Sequence, residues 1–169
     1  MKHALKLLSL PAAVLIGLAG CATTPTPSGM TVTEVVQVNP KLRGAVALTS
    51  VTTTKDVAGL DGNGFRKALE DTLSRVGYLA PNASAAPYKV TAELRQLEHP
   101  LGSADLNVTS EVQYTVRGPS GPAQDLPVMA VGSAKTTDGF GAGQRMRVAS
   151  ERAIQENIKV FLNQLSGIE

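Results

Sequence analysis

At 169 residues the chain has the length of one domain, and its 16 basic and 14 acidic residues leave a formal charge of +2 at pH 7. Setting aside Lys2 and Lys6 near the start leaves 16 − 2 = 14 basic residues against 14 acidic ones, so no basic field exists to attract nucleic acid. One cysteine excludes a disulfide within the chain, and two histidines with no tryptophan leave little material for a metal centre or a sugar-stacking platform.

Residues 1–20 read as an export signal. Lys2, His3 and Lys6 form a basic start, Leu7 to Leu18 is apolar except for Ser9, Pro11 and Gly17, and the small residues Ala19 and Gly20 precede Cys21. A membrane-spanning helix needs roughly 20 apolar residues, so this stretch is too short to stay as an anchor. Leu18-Ala19-Gly20-Cys21 resembles the lipobox of bacterial lipoproteins, position by position: aliphatic, small, small, cysteine. The resemblance implies cleavage between Gly20 and Cys21, a diacylglycerol on the Cys21 thiol and an N-acyl chain on the new amino terminus. Two or more acyl chains, at ~0.8 kcal/mol per buried CH₂, hold a protein firmly to a bilayer. Cys21 is therefore expected to be an anchor and not a catalyst, with no cofactor beyond these covalent lipids. Ala22, where enterobacterial sorting uses Asp for inner-membrane retention, implies an outer-membrane, periplasm-facing location; the alternative is the outer leaflet of the inner membrane.

Residues 21–31 carry the Thr/Pro-rich "ATTPTPSGMT", which has no charge and no apolar period and reads as a flexible tether. Residues 32–169 then form a single α/β domain. Thr33–Val38 and Gly44–Thr54 are β-favouring and are separated by the turn-forming Asn39-Pro40. Phe65, Leu69, Leu73 and Val76 make an apolar stripe at +4, +4, +3, which predicts a helix over 63–76, started by Asp61 or Asn63 and stopped at Gly77. Residues 88–95 and 108–117 alternate apolar and polar, so each strand has one buried and one wet face. A register setting Arg95 against Glu111 is preferred over one setting Glu93 against Glu111, because like charges directly opposite repel. Leu126–Thr137 is a less cleanly alternating strand. The last helix, 144–165, buries Met146, Ala149, Ala153, Ile154, Ile158, Phe161 and Leu165, while Glu151, Arg152, Glu156 and Lys159 face water.

The order β-β-α-β-β-β-α predicts an α+β two-layer sandwich, a largely antiparallel sheet of four or five strands with two helices on one face. This order, with "FRKALEDTLSRVGYL" between early and later strands, resembles small envelope lipoproteins. Among them are YajG-like lipoproteins, the lipopolysaccharide-assembly lipoprotein, and auxiliary lipoproteins of lipid-transport ABC systems.

The residues offer little chemistry. "TTDGFGAGQR" places Gly139, Gly141 and Gly143 between a strand and a helix, with Arg145 the natural helper for an anion at the helix start. The spacing departs from the dinucleotide-binding pattern, and no Lys-Ser pair follows as in a P-loop, so a turn from sheet to helix is the simpler role for these glycines. His99 is the sole imidazole after the signal and no serine has a nucleophile-elbow context, so no catalytic residue and no metal site is assigned. The expected function is a non-catalytic, lipid-anchored, periplasm-facing lipoprotein that binds an envelope protein or component through its sheet face or edge, as an assembly or transport accessory. The alternatives are a small envelope hydrolase or transferase using the glycine loop 138–145, and a structural lipoprotein that stabilises its own oligomer.

Overall fold

Alternation in residues 88–95 and 108–117 is realised as the two central strands of one sheet. The computed structural model describes residues 24–34, 37–54, 57, 59–99 and 106–168. Its elements are a one-turn helix α1 (Pro27–Met30), β1 (Val46–Thr53), α2 (Gly62–Arg75), β2 (Tyr88–Glu98), β3 (Leu106–Arg117), β4 (Gln124–Ala134) and α3 (Ala142–Ser166). The strands lie side by side in chain order, β1-β2-β3-β4. β2 pairs antiparallel with β3, and β3 with β4, whereas β1 runs parallel to β2 with α2 as the crossover. The fold is α+β: an open mixed sheet with its two main helices packed on one face.

Each helix ends for a local reason. Asp61 caps α2 by accepting from the Asn63 N–H at 3.1 Å. At the other end Gly77 takes φ +75°, and the Tyr78 and Gly77 N–H groups turn back to the Leu73 and Ser74 carbonyls. Tyr78 is thereby driven into the core beside Leu73, and both are fully buried.

α3 and the sheet approach each other closely at Gly132. A Cβ on Gly132 of β4 would lie 2.1 Å from the Ala153 nitrogen and 2.3 Å from the Ala149 carbonyl oxygen. Helix backbone therefore rests almost directly on strand backbone, with alanines on one side and glycine on the other. Asn157 ties the two backbones together across this contact. Its amide donates to the Val128 carbonyl at 3.0 Å and to Ser110 Oγ at 3.3 Å, and its Oδ1 accepts from Tyr114 Oη at 3.0 Å. Ser110 Oγ reaches the Ala153 carbonyl at 3.0 Å. Tyr114 stacks on Phe161 with ring centres 3.9 Å apart, and burial pushes its hydroxyl pKa well up, so it stays a donor.

Four expectations need correction. Thr33–Val38 is not a strand in its described residues; just before it the Val32 N–H donates to Thr72 Oγ1 of α2 and the Thr31 carbonyl accepts from Gln155 of α3. β-propensity reports fit to a pleated surface, and here helix side chains serve the backbone instead. The 21–31 tether is ordered from Thr26, where α1 buries Met30 completely. A shift between Leu94 and Gln96 puts Gln96, not Arg95, opposite Glu111, and Arg95 pairs with Glu93 at 3.1 Å on its own strand. Glu151, expected in water, is buried.

Gly132→Ala is expected to cost about 3 kcal/mol in urea unfolding, since backbone cannot yield. Gly62→Ala, whose Cβ would meet only Thr53 at 3.7 Å, is expected to gain about 0.5 kcal/mol. In the polar cluster, Asn157→Ala is expected to lose about 3 kcal/mol and Tyr114→Phe about 1 kcal/mol. The double variant should lose less than their sum by at least about 0.5 kcal/mol; strict additivity in the same unfolding assay would contradict the coupling drawn here.

Candidate functional site

The sheet face turned away from the helices carries the outward, polar side chains of the central strands. β2 contributes Lys89, Thr91 and Glu93, and β3 contributes Asn107, Glu111 and Gln113, all exposed or half-buried between neighbours whose side chains enter the core. Short-range pairs tie the surface down: Gln96 bonds Glu98, and Thr115 Oγ1 donates to Asp125 Oδ1 at 2.7 Å. The face is mixed in sign.

On β4 it turns apolar. Met129 and Val131 are 67% and 58% exposed, opposite Glu111 and Thr109 of β3. β4 is also an edge, since the sheet ends with it. Sequence reading placed a strand here but singled out neither residue. The signal was present in "PVMAVGSA", where both parities are apolar: the inward Val128, Ala130 and Ala134 fit beneath α3, and the outward pair remains uncovered.

At the opposite side of the molecule the N-terminal segment is clasped by α3. Glu151 Oε1 accepts from the Thr26 N–H, from Thr26 Oγ1 and from Arg147 Nη1, each at 2.9 Å. Gly29 makes room, because a Cβ there would fall 2.3 Å from the Glu151 carboxyl carbon. Lys159 adds an ion pair to Glu34 at 2.7 Å. The 1–20 signal and the Gly20–Cys21 junction lie outside the described residues.

The glycine loop is laid out as a turn into a helix. Gly139 is extended and packs against the Gln144 side chain, Gly141 is the N-cap of α3, and Gly143 is inside the helix with Arg145 half-buried two residues on. An acid, Asp138, flanks the loop rather than a base. Arg152 grips it at 2.7 and 3.1 Å while the Lys135 N–H donates at 2.8 Å, and these bonds hold the Asp138 carboxyl at a pKa of about 2. His99 meets Ser150, with Nε2 3.2 Å from Oγ. The serine proton already goes to the Met146 carbonyl at 2.9 Å, so His99 is the donor and Ser150 is not poised as a nucleophile. An open cleft of about 260 Å³ lies elsewhere, between Lys41, Tyr88, Pro119 and Ile168, below the size usual for small-molecule sites.

No protein-family model and no curated protein matches the sequence. Solved structures are similar to it. The hypothetical protein CT253 from Chlamydia trachomatis superposes with a TM-score of 0.52 at 14% identity, over 74% of this chain and 96% of that one. Protein XCC0632 from Xanthomonas campestris gives 0.48 at 13% identity, over 78% and 92%. A minor lipoprotein from Acinetobacter baumannii gives 0.46 at 13% identity, over 69% and 91%. At 14% identity the likeness to the Chlamydia trachomatis protein is one of fold alone.

His99 and Asp138 each contact α3 and give the same pH slope. Desolvation lowers the His99 pKa below 6.5, and Arg152 lowers that of Asp138 from 3.8 to about 2. In each case the unfolded chain binds the proton more readily, so stability is complete above the unfolded pKa and falls with pH through the folded one. Unfolding midpoints are expected to drop below pH 6.5 and again between pH 3.8 and about 2, and His99→Gln should remove only the first step.

Proposed function

We propose that this chain is a bacterial envelope lipoprotein, held by lipid on Cys21 and facing the periplasm from the outer membrane, whose sheet face binds a partner protein or envelope component without catalysis. The observation that carries the reading is the division of surfaces. The helix layer receives the N-terminal segment that leads to Cys21, and the mixed-charge sheet face is left uncovered on the other side. Cys21 precedes the clasped Thr26 by five residues, which span at most about 17 Å. A globule tied so closely keeps its helix side near the bilayer and presents its sheet away from it. Partners of mixed charge suit that face, and orientation by the anchor lowers the cost of finding them.

Radiolabelled palmitate should enter the wild-type protein and not Cys21→Ser; equal labelling of both sinks the anchor. A photo-crosslinking residue at Glu93 or Thr91 should trap a discrete envelope adduct in intact cells, while one at Ser74 on α2 should not. Equal trapping at all three positions would remove the sheet face from the reading.

A further inference from the structure

The outer edge of β4 has an internal logic that concerns more than exposure. Pairing with β3 sets its even-numbered residues inward. The Ala130 carbonyl accepts from Ser110 Oγ and the Val128 carbonyl from Asn157, both lying in the β3–β4 seam. In an antiparallel ladder the N–H and C=O of one residue point the same way, alternating along the strand. The odd residues Pro127, Met129, Val131 and Ser133 therefore turn their backbone groups outward. Two of those groups are already accounted for: Pro127 has no N–H to offer, and the Ser133 carbonyl is taken by Arg152 Nη1 at 2.7 Å.

We infer that a second copy of this chain docks on the β4 edge, antiparallel, with Met129 of each copy opposite Val131 of the other. In this register Pro127 falls opposite Ser133 of the second copy. The missing proline N–H then faces the one carbonyl that Arg152 has already satisfied, while the Ser133 N–H reaches the Pro127 carbonyl. Each Met129–Val131 pair exchanges two hydrogen bonds and each Pro127–Ser133 pair one. Neighbouring registers fit worse. Centring the pair on Met129 sets Pro127 against Val131 and leaves that carbonyl without a donor. Centring it on Val131 sets the Met129 N–H against the occupied Ser133 carbonyl.

Side chains agree with the backbone. Odd residues of β4 share the exposed sheet face, so the register brings two methionines and two valines into one apolar cluster across the twofold axis. Asp125 and Lys135, both exposed, lie at opposite ends of β4 and meet the other copy's opposite charge at the rim. The product is an eight-stranded sheet with a doubled exposed face, and the inference stands whether or not Cys21 carries lipid.

The test uses the full-length protein in mild detergent, followed by sedimentation over a dilution series. Wild type should show a monomer–dimer equilibrium, and Met129→Lys should weaken dimerisation at least about 100-fold. Val131→Pro, which removes an outward N–H and the valine side chain but no bond to β3, should do the same while keeping the wild-type circular dichroism. The double substitution Met129→Cys with Val131→Cys should form a dimer disulfide in membranes, whereas Thr52→Cys on β1 should not. A wild-type monomer at all concentrations, a dimer indifferent to both substitutions, or a membrane adduct at Met129 heavier than twice the chain would each overturn the inference.

Discussion

The seam between α3 and the β3–β4 pair is the constraint on which the rest of the structure depends. A helix packed on a sheet usually keeps a close-packed layer of side chains between the two backbones. At Gly132 nothing larger than hydrogen fits under Ala149 and Ala153, so the two backbones meet. That gains dispersion contacts but dries out carbonyls that would otherwise see water. Asn157, Ser110 and Tyr114 answer with a closed set of donors and acceptors, and no buried side-chain polar atom among the described residues lacks a partner. A fully satisfied buried network has few alternative arrangements, so the same residues that stabilise the seam also fix where α3 lies along the sheet.

From that placement two consequences run in opposite directions. On the helix side, α3 carries Glu151 to the spot where Thr26 can surround its carboxylate with donors, which converts an apparently structureless stretch into a docked arm. A nearly buried carboxylate is tolerable only because three charged or polar donors converge on it. On the sheet side, the small residues that admit α3, Ala130, Gly132 and Ala134, leave no inward room for bulk, and the bulk of β4 appears outside as Met129 and Val131. The tight inner seam and the apolar outer edge belong to one strand and one alternation.

The Arg152–Asp138 pair joins these regions. It closes the chain where β4 hands over to α3, and Arg152 also covers the last outward carbonyl of the strand. An edge that is blunted at one end by an arginine and interrupted by Pro127, yet open and apolar between them, is shaped for a limited set of pairings rather than for indefinite strand addition. Selective protection of this kind separates a recognition edge from an aggregation hazard.

Periodicity made much of the fold legible from residues alone. Phe65, Leu69 and Leu73 marked α2, the alternation of 88–95 and 108–117 marked the central strands, and Asp61 and Gly77 marked where a helix starts and stops. Such features are local, because a helical face or a strand face is written within ten or fifteen neighbours. Asn157 was not singled out from the sequence, and its partners lie 29 to 47 positions away. Parallel pairing of β1 with β2, the bulge that moved Gln96 opposite Glu111, the descent of Thr26–Met30 onto α3 and the outward turn of Met129 were decided only by tertiary structure. Each depends on which distant segment arrives to meet the chain, and no spacing within a segment records that.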